Sequence, residues 1–215
     1  MSDLEYNKIL EELEELTKTL HWKVSGDLFL QYRDLTNDPD FKHGVKPWSV
    51  PKTTGEFLYK IFKERGCKNI LEIGTSIGYS TLWIAKAVKE VNGHIDTLEV
   101  FDRKLEIARE FFKKANIENT VASHHMRAKD FLQTTTNIYD GVFLDANKSD
   151  YVLYLQTLKS KLTQNGVVVI DNAINLSHKF DAVYEYLESL KNSGVTWRLY
   201  DLDAGLLVIE RIGNV

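Results

Sequence analysis

The chain has 215 residues, 43% of them hydrophobic, enough for one domain with a substantial core. Its 27 basic and 31 acidic residues leave a net charge of -4, which excludes a broad basic surface for nucleic acid and leaves room only for a local patch. A single cysteine, Cys67, cannot form a disulfide within the chain and points to a reducing compartment, where it reads as an inert packed thiol. The segment Met1-Ser2-Asp3-Leu4-Glu5 is acidic where a leader would be basic, and no apolar run approaches the ~20 residues of a membrane span, so the expected location is cytoplasmic.

From Leu4 to Leu20 the residues Ile9, Leu10, Leu13, Leu16 and Leu20 fall on one helical stripe, opposite Glu11, Glu12, Glu14 and Glu15. Such a helix caps its own domain or contributes to a dimer. Between Ser25 and Pro51 the periodicity is lost and all three prolines occur, a length at which a connection serves as a lid or binding loop. A helix over Thr53–Arg65 leads to a strand at Asn69–Ile73. Further strands at Ile95–Val100, Thr120–His125, Gly141–Leu144 and Gly166–Ile170 alternate with helices at Thr81–Val91, Arg103–Ala115, Lys129–Gln133, Tyr151–Leu162 and Phe180–Leu190. That alternation builds a parallel sheet covered on both faces. The last two strands, Thr196–Tyr200 and Leu206–Glu210, are joined by residues 201–205, too few for a crossover helix, and so form an antiparallel hairpin.

The first strand runs into Glu72-Ile73-Gly74-Thr75-Ser76-Ile77-Gly78-Tyr79-Ser80-Thr81, a glycine turn that opens a helix. It is neither a phosphate loop nor the GxGxxG fingerprint. Glycine lets the backbone turn sharply and a ligand approach the main chain. In open parallel sheets ligands bind beyond the carboxyl ends of the strands, which singles out the polar residues there. Glu99 ends the second strand, 25 residues after Gly74, where a carboxylate can accept both hydroxyls of a ribose. The fourth strand ends in Asp145-Ala146-Asn147-Lys148 and the fifth in Asp171-Asn172. Asp145, Asp171 and Asn172 thus bring three oxygen donors to one rim, a set suited to Mg²⁺ or a similar hard cation with about three positions left open. His124 and His125 are neighbours on a strand and point to opposite faces, so they make no paired metal site. His178 either lines an acceptor pocket or caps the next helix, and Trp48 and Trp197 either stack on an aromatic ligand or pack in the core.

The glycine segment resembles the first motif of S-adenosylmethionine-dependent methyltransferases, and its wording is similar to that of the cation-dependent O-methyltransferases. Asp145-Ala146-Asn147-Lys148-Ser149-Asp150-Tyr151 and Asp171-Asn172 resemble the Asp-Ala-x-Lys-x-x-Tyr and Asp-Asn motifs of catechol and caffeoyl-coenzyme A O-methyltransferases. The resemblance covers roughly residues 50–211. It implies an α/β, doubly wound, Rossmann-like fold with a seven-stranded, mostly parallel sheet in the order 3-2-1-4-5-7-6, the last strand antiparallel. Residues 51–215 would form the catalytic core of a single domain, with 1–50 supplying the helix and lid.

The resemblance further implies S-adenosylmethionine as methyl donor, contacted by Val50, Gly74, Thr75, Ser80, Glu99, Ala128 and Asp145, with Glu72 acting indirectly near the methionine part. It makes Asp145, Asp171 and Asn172 the metal ligands, and Lys148, beside Asp145, the general base for the acceptor hydroxyl. Such a lysine would take the proton at a pKa lowered by desolvation and nearby cations. The alternative for Lys148 is a surface lysine pairing with Asp150. The segment Pro47–Val50 matches one that reaches over the cofactor. Met126 and Arg127 depart from the usual Gly-Asp before Ala128, and Asn147 stands where a second acid is common. The expected acceptor is a small molecule with vicinal hydroxyls and the expected assembly a homodimer. One alternative is a family member methylating hydroxyuridine in transfer RNA; another, a non-catalytic cofactor-binding protein, is opposed by the intact Asp145, Lys148, Asp171 and Asn172.

Overall fold

The computed structural model describes residues 1–20 and 47–212. Most of the expected lid, residues 25–46, lies outside the described residues; only its end, 47–51, is within them. Helix α1 (Asp3–Thr19) opens on a capping box in which Glu5 N–H donates to Ser2 Oγ and Ser2 N–H to Glu5 Oε2. Its apolar stripe, Tyr6, Leu10 and Leu13, is buried, and the Tyr6 hydroxyl donates to the Leu82 carbonyl over 2.6 Å. The helix therefore caps the core of its own chain. Helix α2 (Lys52–Glu64) follows Pro51, whose fixed φ suits a helix start.

The strands are β1 (Asn69–Ile73), β2 (His94–Glu99), β3 (Val121–His125), β4 (Tyr139–Leu144), β5 (Leu162–Ile170), β6 (Thr196–Tyr200) and β7 (Leu206–Glu210). Between them stand α3 (Tyr79–Lys89), α4 (Asp102–Lys114), α5 (Ala128–Thr134), α6 (Tyr151–Leu158) and α7 (Asp181–Ser189). The sheet order is β3-β2-β1-β4-β5-β7-β6; β1 to β5 pair in parallel and β7 runs antiparallel to both β5 and β6. Side chains alternate strictly between two cores. Ile70, Phe143, Val167, Val169 and Val208 join the core under α1 to α4, while Leu71, Leu144, Val168, Ile170 and Leu207 join that under α5 to α7. Apolar residues on both faces are what a parallel sheet sandwiched by helices requires.

Most boundaries lie within two residues of the sequence reading, and the largest difference is at the start of β5. The helix expected to reach Leu162 stops at Leu158, and Leu162–Gly166 begins β5. Leu162 pairs with Tyr139 across a shift in register, and that cross-strand partner overrides the polar run Thr163-Gln164-Asn165.

Two turns shape the rim at the carboxyl ends of the strands. Gly74 has φ 107°, and a Cβ there would fall 2.1 Å from the Asp145 carbonyl oxygen, so only glycine lets the end of β1 press against the end of β4. The hairpin turn before β7 closes on the segment after Asn172: Ala173 N–H donates to Gly205 O and Ile174 N–H to Ala204 O. No helix among the described residues is long and apolar enough to cross a membrane.

Candidate active site

A cavity of about 780 Å³ opens over the carboxyl ends of β1, β2, β4 and β5. It is lined by Val50, Gly74, Thr75, Ser80, Glu99, Ala128, Asp145, Lys148, Asp171 and Asn172, so all but one of the cofactor, metal and catalytic residues that the resemblance implies meet in one place. Its size matches sites for ordinary small ligands and cofactors. Two non-glycine residues of its wall, Ser76 (φ 48°) and Asn172 (φ 68°), hold left-handed backbone, a strain that concentrates at ligand sites.

At one end, Glu99 is 7% exposed and its carboxylate closes its own turn. Oε2 accepts Ser76 N–H at 2.8 Å, and Oε1 accepts Val100 N–H at 2.8 Å and Phe101 N–H at 3.0 Å. Oε1 is thereby filled by two backbone donors, while Oε2 keeps lone-pair capacity for a ligand hydroxyl.

Glu72 is the exception, for it lies beneath the cavity rather than on its wall. Fully buried, it accepts hydroxyls from Ser80 at 2.6 Å, Thr81 at 2.5 Å and Thr97 at 2.6 Å. Burial pushes its carboxyl up to about 7 against the opposing pull of those three hydroxyls. Its reach to a ligand runs through Ser80, which does line the cavity.

At the other end, Lys148 Nζ lies 3.1 Å from Asp145 Oδ1 and 5.4 Å from the centre of the Tyr151 ring. Lys148 is 9% exposed, so it is no surface lysine, and its partner is Asp145 rather than Asp150. Burial works against its charge, but Tyr151 and Asp145 outweigh burial and hold the ammonium above the ordinary lysine range. This corrects the lowered pKa expected from sequence: in the protein alone the near charges are acidic, not cationic. Tyr151, itself pushed up to about 12 by burial, donates its hydroxyl to Ala146 O.

Asp171 is 3% exposed and its Oδ1 is buried without a hydrogen-bond partner. Burial, and after it the charge of Asp145, push its carboxyl up to about 7. Among the described residues there is no cluster of three or more His, Cys, Asp or Glu suited to a metal. The candidate set here is instead two aspartates and an amide, all facing one cavity. An orphaned carboxylate oxygen beside a second carboxylate and an amide oxygen fits a hard divalent cation, which would satisfy the one and offset the repulsion of the pair.

A family model described as O-methyltransferase matches residues 27–186. The chain belongs to the O-methyltransferase family. Among curated relatives, the catechol O-methyltransferase of Niastella koreensis is 32% identical over 135 residues, 61% of this chain and 61% of the relative. The caffeoyl-CoA O-methyltransferase of Medicago sativa is 29% identical over 60% of this chain and 55% of the relative. The aligned part thus spans about three fifths of the length of these relatives. The fold is shared along the whole length of solved structures: the O-methyltransferase TomG of Streptomyces achromogenes, in complex with SAM, superposes with a TM-score of 0.69 at 24% identity over 98% of this chain and 99% of that one.

Within this family member the remaining sequence candidates scatter. His124 Nε2 lies 2.7 Å from Asp96 Oδ1, while His125 turns to the Val100 carbonyl, so the two histidines do face apart. His178 sits in a short turn (Ser177–Lys179) before α7, and it is Leu176 and Lys179 that line the cavity. Trp48 lines the cavity and is 58% exposed, whereas Trp197 packs on the core under α5 to α7. Cys67 is buried, its thiol pushed up to about 12 by burial, as an inert packed thiol requires. Sequence reading missed Lys104, which lines the cavity from α4. Its signal was there: Lys104, Ala108 and Phe111 share the buried stripe of that helix, where a lysine is out of place.

Proposed function

We propose that the chain is a cytoplasmic S-adenosylmethionine-dependent and divalent-cation-dependent O-methyltransferase, acting as a homodimer on small molecules with vicinal hydroxyls. Residues 51–215 would form its catalytic core, with 1–50 supplying the capping helix and lid. One observation carries this reading: a single cavity joins a ribose-type acid, Glu99, to a cation-type set, Asp145, Asp171 and Asn172, with a buried amine between oxygen donors, Lys148. The curated relatives of the catechol and caffeoyl-CoA type support the acceptor class.

On this reading Val50, Gly74, Thr75, Ser80, Glu99 and Ala128 bind and orient the cofactor, with Glu72 fixing Ser80 from below. Asp145, Asp171 and Asn172 would hold the cation, which stabilises negative charge on the acceptor oxygens. A phenol ionises near pH ~10, so forming its anion at neutral pH costs about 4 kcal/mol. Lys148 takes the proton at Nζ once the charge of Asp145 is offset. The acceptor oxygen then forms a bond to the methyl carbon as the bond from that carbon to sulfur breaks, the sulfur keeping the electron pair. Opposite charges cancel along that path, so a dry and oriented site favours it.

The test is methyl transfer from labelled S-adenosylmethionine to a catechol panel and to bulk unmodified RNA, with Mg²⁺ or with a chelator. Transfer to catechols that the chelator abolishes is the expected result. Transfer that survives chelation overturns the cation role, and transfer to RNA alone moves the acceptor to nucleic acid.

A further inference from the structure

Lys104 is 2% exposed and is the third residue of α4, at the positive end of the helix dipole. Among the described residues its ammonium makes neither an ion pair nor a hydrogen bond. It lies 4.8 Å from the centre of the Trp48 ring and 5.1 Å from that of Phe101. Ring faces attract a cation, but they do not replace hydrogen bonds. Three costs therefore meet at one atom: burial of a charge, the absence of an acceptor, and the wrong end of a helix dipole. Burial depresses its pKa, while Glu99 and Asp145 are the carboxylates whose charge sustains it. The side chain also borders the cavity beside Glu99, Val100 and Phe101. An unpartnered donor on a nearly buried side chain that faces a cavity marks the place of a ligand acceptor atom.

The kind of acceptor follows from its neighbour. A ribose hydroxyl both donates and accepts, a carboxylate only accepts, and an ammonium only donates. Glu99 Oε2, which accepts only Ser76 N–H, can take a proton of a vicinal diol and leaves the lone pairs of the diol oxygens unused. We propose that Lys104 is a cofactor-positioning residue that donates to a ribose hydroxyl oxygen of the diol that Glu99 Oε2 contacts, so that the two side chains together read the diol of the S-adenosyl group. The inference rests on the reading of this cavity as an S-adenosylmethionine site. It also explains why an unfavourable lysine is kept on an apolar stripe: its penalty in the free protein is released when the cofactor binds.

Calorimetry with S-adenosylhomocysteine, and with analogues lacking one or the other ribose hydroxyl, tests this on wild type, Lys104→Met and Lys104→Arg, with thermal unfolding of each protein free of ligand. The expected result is at least tenfold weaker S-adenosylhomocysteine binding by Lys104→Met and a smaller loss for Lys104→Arg. With the analogue lacking the hydroxyl that Lys104 contacts, wild type and Lys104→Met converge to within about threefold, the coupling a direct contact demands. The ligand-free Lys104→Met protein melts no lower than wild type, and a rise of a few degrees fits the relieved charge. Equal affinity of wild type and Lys104→Met for S-adenosylhomocysteine overturns the inference, as does an equal loss for the parent ligand and both analogues. Wild type that binds none of these ligands overturns the cofactor reading itself, a result distinct from either.

Discussion

Glu72 and Lys148 are both buried ionisable groups, yet their surroundings push them to opposite tasks. Glu72 meets only hydroxyls, and burial raises its carboxyl from the ordinary 4.5 to about 7. Below about pH 4.5 it is protonated in folded and unfolded chains alike, so its contribution to stability is fully present. Between there and about pH 7 the unfolded chain ionises while the folded one resists, and stability is lost as pH rises. Glu72→Gln cannot ionise, so its stability relative to wild type should climb by about 3 kcal/mol from pH 4 to pH 8. Denaturant unfolding across that range checks it, and a constant difference between the two proteins refutes the assignment. Lys148, by contrast, faces Asp145 and the cavity. Lys148→Met should lower the maximal rate with a simple catechol by roughly a hundredfold, the usual contribution of a positioned proton acceptor. Part of the loss should return at high pH, where the acceptor ionises unaided. Parallel pH–rate profiles for mutant and wild type would leave Lys148 without a role in proton transfer.

At the scale of elements, the hairpin turn before β7 does more than reverse the chain. Asp203 Oδ2 accepts the hydroxyl of Thr53 at 2.5 Å and that of Thr54 at 2.8 Å, tying the first turn of α2 to the hairpin. The same turn supplies carbonyls to the segment after Asn172. It therefore brackets the cavity wall at Val50 and the candidate ligand Asn172. Asp203 has φ 50°, a conformation asparagine tolerates and alanine does not. Asp203→Ala should cost about 1–2 kcal/mol in denaturant unfolding, and Asp203→Asn, which keeps an acceptor and the backbone, less than half of that. Equal losses in the two variants would show that the acceptor oxygen is irrelevant. This bracket was invisible in the sequence because its partners stand 150 and 149 residues apart. The strands were legible because apolar residues on both faces leave no other place for them. The start of β5 was not, since Thr163, Gln164 and Asn165 look like a helix end until Tyr139 supplies a partner for Leu162.

For the whole molecule, most of the site was legible because topology does the assembling: parallel strands finish at one rim, so the acids and amides that end them converge. What periodicity cannot show is the depth to which Glu72 sinks. The same convergence makes stability of the whole fold a reporter of the candidate cation site. Without a cation, Asp171 carries a buried, unpartnered oxygen and feels the charge of Asp145. Asp171→Asn removes that repulsion, so at pH 8 in chelator the variant should unfold at a higher temperature than wild type. A ligand that binds only the folded state adds about 2.7 kcal/mol at a concentration a hundredfold above its dissociation constant. Mg²⁺ should therefore raise the midpoint of wild type by several degrees and that of Asp171→Asn far less, reversing or closing the gap between them. Thermal unfolding with and without Mg²⁺ reads both effects and needs no substrate. Superimposable wild-type curves across a Mg²⁺ titration into the millimolar range would remove the cation from Asp145, Asp171 and Asn172, and leave Lys148 to activate the acceptor alone.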